Sequence, residues 1–268
     1  MSLELLRRMA AERRAQMEAL ELLDAGLWLG APAGFPLAAE ATPESLRADM
    51  TAYGLRGGLV SHWRGVTESA QAGNESVAQA QIAWDEHLHA VWTGLPTGPG
   101  QNGPLPGQDT VPPYVRAVRV FPHSHNFVAV DWCLGGLCRW LTQRAMPLLV
   151  RHTEIDWPDL YQLARTFAEL PIILESQTRK LLYHTRTLFA LLHECPNVHV
   201  ELSNFAAQGL LEHAVAQVGP ERLIFGSFWP VNDPLVPIGL ILDADLPWER
   251  KTMIAGGNLR RLLQGVRA

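Results

Sequence analysis

The sequence predicts an α/β protein, a (β/α)8 barrel (TIM barrel), with an N-terminal helical extension over residues 1–20 and the barrel over residues 21–268. Three observations predict it. Short apolar runs rich in branched residues recur along the chain, each ended by turn or polar residues. Helical stretches separate most of them, the alternation of an α/β protein, which a doubly wound open sheet would also produce. The length, 268 residues, is one at which single α/β barrels are common.

The elements follow in order. Residues 1–20 interleave Arg7, Arg8, Arg13 and Arg14 with glutamates and lack the continuous apolar stretch of a signal peptide, so they are expected to stay as an amphipathic helix. Strands are expected at residues 22–29, 57–63, 87–95, 114–121, 147–152, 171–176, 198–203 and 223–228. Helices are expected at 43–53, 75–86, 132–144, 158–168, 179–194, 206–218 and 247–263. Thr42, Pro43 and Glu44 supply a cap, a first-turn proline and an early acid for the first of these. Residues 94–113 break the pattern: six prolines and five glycines there leave no helical period, so a loop replaces the helix after the third strand. Within it, residues 98–103 spell GxGxxG, but the surrounding prolines leave no helix N-terminus to receive a pyrophosphate.

Composition narrows the function. With 47% hydrophobic and 18% charged residues the chain is a packed globular protein. A net charge of −5 argues against binding nucleic acid through phosphates. No apolar run approaches the ~18 residues of a membrane span. Cys133, Cys138 and Cys195 are odd in number and form no CxxC pair, which excludes a disulfide framework and a thiolate zinc site and fits a reducing cytoplasm. The expected partner is a small molecule, with room for a homo-oligomer.

Near the C-terminus the chain reads Gly219-Pro220-Glu221-Arg222-Leu223-Ile224-Phe225-Gly226-Ser227, then Pro230, and later Gly256-Gly257-Asn258 followed by Arg260 and Arg261. These segments resemble the last strand and closing helix of the amidohydrolase superfamily, in its amidohydrolase-2 type barrels. Residues 196–203 resemble that family's seventh strand and 24–30 the frame of its first. The resemblance implies a TIM-barrel hydrolase that binds divalent metal through two histidines of strand one, a histidine ending each of strands five and six, and an aspartate ending strand eight. Here those positions hold Gly26, Trp28, Arg151, Ser176 and Phe228. None is a matching ligand. The loss includes the aspartate that would deprotonate water, so neither the metal nor any other cofactor is expected.

In a barrel the strand C-terminal ends and the loops after them form the pocket. The polar residues there are His62, Trp63 and Arg64; Arg119, His123 and His125; Arg151, His152 and Glu154; Glu175 and Gln177; Glu201, Ser203 and Asn204; and Trp229, Asn232 and Asp233. His62, His123 and His125 are the candidate bases, since an imidazole accepts a proton at neutral pH, with Glu175 as a carboxylate alternative. Arg151, on the same face as Leu149, is expected inside the mouth, pairing with Glu175, Glu201 or a substrate carboxylate. His152, Glu201, Asn204 and Trp229 complete the substrate contacts. Trp28 and Phe228 fill the volume of the lost ligands or stack on an aromatic substrate. His87 and His89, at the start of the third strand, are assigned to structure.

Three functions stay open. The leading one is an enzyme, a metal-independent hydrolase of a small ester, lactone or amide bearing a carboxylate. Another is non-catalytic binding of a small anion on the amidohydrolase fold. A third is a relocated metal site built from His62, His123, His125, His152 and Glu175.

Overall fold

The computed structural model describes residues 3–80, 82–98, 103–179 and 181–267. The strands are β1 (Leu23–Leu29), β2 (Gly57–His62), β3 (Leu88–Thr93), β4 (Val115–Val120), β5 (Leu148–Arg151), β6 (Ile172–Glu175), β7 (Val198–Glu201) and β8 (Leu223–Ile224). The helices are α1 (Leu3–Ala19), α2 (Pro43–Tyr53), α3 (Arg64–Thr67), α4 (Ala70–Gln79), α5 (Asp131–Gln143), α6 (Trp157–Thr166), α7 (Thr185–Glu194), α8 (Leu210–Val218), α9 (Leu235–Asp243), α10 (Trp248–Thr252) and α11 (Asn258–Gln264).

Among the described residues the strands form one parallel sheet in the order β1 to β8. The seam between first and last strand is joined just past β8: Ala25 donates its N–H to the Phe225 carbonyl at 3.1 Å, and Trp28 donates to that of Trp229 at 3.0 Å. The fold is a (β/α)8 barrel.

Alternation along each strand separates two apolar regions. Residues such as Val118, Val120, Leu148 and Val150 face the helices and join the large outer cluster. Their neighbours Leu23, Ala25, Leu59, Val91, Ala117, Leu149, Ile173 and Ile224 point inward and meet Leu259 and Leu263 of α11, which close the N-terminal end. Above that layer the inward positions turn charged and then aromatic. That change of chemistry defines the mouth.

Several elements differ from the sequence expectation. β8 spans two residues instead of six, because residues beyond Ile224 leave the ladder: Ser227 gives its N–H to the Asp24 carboxylate and Phe228 takes a φ of +60°. The helix expected at 75–86 forms earlier, where the Ser69 hydroxyl caps α4 by accepting from the Ala72 N–H at 3.1 Å. α9 was hidden by Pro234 and Pro237, which read as breakers but occupy the N-cap and first turn, where no intrahelical N–H is needed. The helix expected over 247–263 is instead α10, a π turn at Met253–Gly257, and α11. As expected, a loop joins β3 to β4; most of the 98–103 motif lies outside the described residues. α1 buries none of its residues and is attached through the Arg13–Asp243 ion pair (2.7 Å) and Met17.

Candidate functional site

The inward positions above Ala117, Leu149 and Ile173 are Arg119, Arg151 and Glu175, so two cations and a carboxylate enter the barrel side by side. Arg119 takes the carboxylate. Its Nε and Nη2 donate to Glu175 Oε2 and Oε1 at 3.0 and 2.6 Å, and its Nη1 donates to Ser61 Oγ. Glu175 Oε1 also accepts from Gln177 Nε2 at 2.8 Å, and Gln177 Oε1 accepts from Arg151 Nε at 3.2 Å. Arg151 therefore reaches Glu175 through Gln177. The direct pairing expected of Arg151 belongs to Arg119, which reaches across from β4 to both carboxylate oxygens, while Arg151, on the strand next to β6, meets Gln177.

Four rings, Trp28, Trp63, Phe121 and Phe228, pack together over these charges. Trp28 and Trp63 lie 4.7 Å apart, and Phe35, from the β1–α2 loop, sets its edge on Phe228 at 5.5 Å. Arg119 stacks on Trp28 at 4.3 Å. The Arg151 guanidinium lies 4.6, 5.1, 5.3 and 5.5 Å from the rings of Trp28, Trp63, Phe121 and Phe228. Such faces attract a cation. Burial nevertheless pulls the Arg151 pKa down to about 10, against the raising effect of the Glu175 charge. Around this cluster several buried polar atoms have no partner among the described residues: Arg151 Nη2, Trp28 Nε1, Trp63 Nε1, Asp24 Oδ2 and both ring nitrogens of His125.

Two more carboxyl groups lie deeper. Glu201 Oε1 accepts the Ser203 N–H at 2.7 Å, and its Oε2 accepts the Ser203 hydroxyl at 2.9 Å and the Ser176 N–H at 3.1 Å. Gly226 packs on this carboxylate, where a Cβ would overlap it. Burial first, and then the nearby Glu175, push the Glu201 pKa up to about 8. Asp24, held by the N–H groups of Gly26 (2.7 Å) and Ser227 (2.9 Å), is pushed up to about 6 by burial. Both Glu175 and Glu201 are fully buried and hydrogen-bonded by the protein itself.

The expected rim residues divide into two groups. On the β2 side, half-buried His62 accepts the Arg64 N–H on Nδ1 at 3.2 Å and lies against Gly30, whose φ of +84° and missing Cβ leave space for the ring. His125 sets its ring edge on Phe121 at 5.5 Å. Burial lowers both pKa values, so both imidazoles are neutral bases at pH 7. On the β5 side, His152 Nδ1 meets the Glu175 carbonyl at 3.2 Å, and half-exposed His123 meets the Thr153 carbonyl at 3.0 Å. Asn204 donates its backbone N–H to Ser176 Oγ at 2.9 Å. Trp229 is a correction: its indole lies in the helix layer and donates to Asp49 of α2 at 2.7 Å, because the chain has left the inward-facing alternation after β8.

A metal does not fit at the positions the resemblance implied. Gly26, Trp28 and Phe228 bring no ligand, Ser176 supports Glu201, and the charge of Arg151 would repel a divalent cation. The relocated set does not assemble either: among the described residues no three His, Cys, Asp or Glu side chains are grouped to hold a metal. Sequence reasoning noted Arg119 and Gln177 without giving them a role, and passed over Ser61 and Phe121. The signal was available in strand parity, since Arg119 lies two residues beyond the inward Ala117.

The Amidohydrolase family profile matches residues 8–265. The chain belongs to the amidohydrolase family. Among curated proteins none matches the sequence. This amidohydrolase-family barrel is similar to a zinc-bound amidohydrolase of Burkholderia multivorans, at 19% identity and a TM-score of 0.63, covering 91% of this chain and 99% of that one. It is also similar to 5-carboxyvanillate decarboxylase of Sphingomonas paucimobilis, at 13% identity and 0.63, covering 92% and 100%. A third is a probable 2-pyrone-4,6-dicarboxylic acid hydrolase of Acinetobacter baumannii with citric acid bound, at 12% and 0.60, covering 91% and 99%. At these identities the likeness is one of fold. Among the described residues no helix is long and apolar enough to cross a membrane.

Proposed function

We propose that the barrel mouth binds a small carboxylate-bearing molecule on Arg151, in a family member that has set aside metal-assisted hydrolysis. The observation that carries this is the buried Arg151 Nη2, unpartnered beside the equally unpartnered indole N–H groups of Trp28 and Trp63. Each such donor costs ~1–3 kcal/mol when left unmade. A carboxylate is an acceptor with two oxygens and suits the guanidinium fork. Two of the similar structures carry carboxylic acids in their names, a carboxyvanillate decarboxylase and a dicarboxylic acid hydrolase.

Binding is favoured over turnover because the carboxyl groups that would serve as bases are committed, Glu175 to Arg119 and Glu201 to the serines. Calorimetric titration with acetate and benzoate tests the reading. Saturable one-to-one binding that Arg151→Gln abolishes is the expected result. Millimolar acid giving no saturable signal would overturn it.

Turnover is the second reading, and the neutral imidazoles of His62 and His125 favour it. It requires hydrolysis within a panel of carboxylate-bearing lactones, esters and amides. Replacing the acting histidine by Gln should then cost ~10²–10⁴-fold in rate. Activity that survives the His62, His123 and His125 changes but vanishes in Glu175→Gln or Glu201→Gln would move the base to a carboxylate.

A further inference from the structure

The opposite end of the barrel holds a cavity of about 380 Å³, closed off from the mouth by the apolar layer of Leu59, Val91 and Leu149. Arg116 and Arg260 line it together with His87, His89 and the acid Glu86, against an apolar wall of Leu23 and Leu263. Half-buried Arg116 donates Nη1 to the Val266 carbonyl at 3.2 Å and meets no carboxylate within ion-pair distance among the described residues. Arg260 reaches Glu21 only at 3.5 Å. His89 is buried, and its pKa is lowered by burial and then by Arg116.

Among the described residues the local acids pair with Arg260 and His87 and leave Arg116 without an ion pair. Asp85 faces the backbone, accepting the N–H groups of His87 and Leu88 at 2.7 and 2.8 Å. Glu86 stays on the rim with its side chain 85% exposed, 3.6 Å from His87 Nε2. Two guanidinium groups and two imidazoles thus share one cavity with a single lining carboxylate, Glu86, in a chain whose net charge is −5. The low-dielectric wall strengthens every charge interaction inside it.

We infer that this cavity is a binding site for a compact oxyanion, held by Arg116 and Arg260 with His87 and His89 as further donors. Guanidinium forks match the paired oxygens of phosphate and carboxylate, and a bound anion favours the protonated imidazoles. After burial, Arg116 lowers the His89 pKa further and Asp85 raises it. The site is independent of the mouth, at the end of a barrel where conserved chemistry is not expected. It also gives His87 and His89 a task beyond packing.

The experiment is a titration of the whole chain with inorganic phosphate and, separately, with succinate at fixed ionic strength, followed by calorimetry and by the histidine ring resonances in NMR. Saturable binding with shifts of His87 and His89 is expected; phosphate should leave His62 and His125 unmoved, and any succinate taken up by the mouth is read separately from the His62 and His125 resonances. The tighter of the two probes identifies the oxyanion class. Arg116→Gln should weaken binding by about 10–100-fold, the effect of losing a charge-assisted hydrogen bond. Arg260→Gln, on the outer helix, gives the same reading should the Arg116 variant fold poorly. No saturable binding by either probe, shifts confined to His62 and His125, or unchanged affinity in both arginine variants would overturn the inference.

Discussion

Arg119 grips Glu175 with hydrogen bonds of 3.0 and 2.6 Å at a point where neither side chain is more than 1% exposed. Two inward positions on strands β4 and β6 thereby satisfy each other across the interior, with Ser61 and Gln177 completing the set. This one ion pair is tolerated inside the barrel because both partners are hydrogen-bonded to each other and to their neighbours.

Removing one partner should therefore be severe. Arg119→Ala leaves a buried carboxylate unpaired and is expected to cost ~3–5 kcal/mol of unfolding free energy. Replacing both partners at once, as Arg119→Met with Glu175→Leu, should cost much less than the sum of the single changes. Denaturant unfolding of the three variants checks it, and a single-variant loss under ~1 kcal/mol would show that the pair is dispensable.

Glu201 should make stability depend on pH. Its folded pKa of about 8 lies above the ordinary carboxylate value, so between the two the folded state holds a proton that the unfolded state releases. Stability from this group is full below the unfolded pKa and is lost as pH rises toward 8. Asp24, at about 6, adds the same trend over a lower window. Glu201→Gln keeps an acceptor oxygen and stays neutral, so it should flatten the fall between about pH 5 and pH 8. Urea midpoints measured across that range decide it, and an unchanged slope in the variant would assign the dependence to other groups.

Much of the barrel was legible because burial on both sides of parallel strands writes continuous apolar runs, and α/β alternation repeats them. Leu149 and Arg151 share a face by strand periodicity alone, and the structure sets both inside. Partner choice was less legible. Whether Glu175 pairs with Arg119 or Arg151 depends on register between strands, which one sequence does not encode locally. Trp229 was misplaced for a related reason: β8 ends at Ile224, and alternation carried past that point gives the wrong face. The closing of the mouth by Trp28, Trp63, Phe121 and Phe228 comes from residues far apart in sequence whose packing only the closed barrel brings about.

Phe228 plugs the mouth from a backbone φ of +60°, with its ring against Trp63 and Phe35. Phe228→Ala should destabilise by ~3–5 kcal/mol, the usual cost of deleting a buried phenyl group. The same change opens space beside the Arg151 guanidinium, so benzoate should bind the variant more tightly than the parent. Paired unfolding and titration experiments test both halves. Loss of stability with no gain in benzoate binding would show that the ring serves packing alone and does not guard Arg151.

Trp28 and Gly26 occupy the positions where the resemblance implied two histidines, and Arg151 brings a cation to within 4.6 Å of the Trp28 ring. Restoring Trp28→His alone should therefore not create a zinc site, because the guanidinium remains and a borderline metal needs several convergent donors. Gly26→His meets a second obstacle, since a Cβ there would lie 3.0 Å from the Phe228 backbone nitrogen and 3.2 Å from Gln177 Nε2. Only a chain that also carries Arg151→His and Phe228→Asp removes the repulsion and supplies the missing carboxylate. Elemental analysis of protein produced in zinc-supplemented medium should find substoichiometric zinc in the parent and in Trp28→His, with a rise reserved for the fourfold variant. About one zinc per chain in the parent, lost when His62 or His125 is replaced, would instead place a metal on the β2 side of the mouth and return the relocated site to consideration.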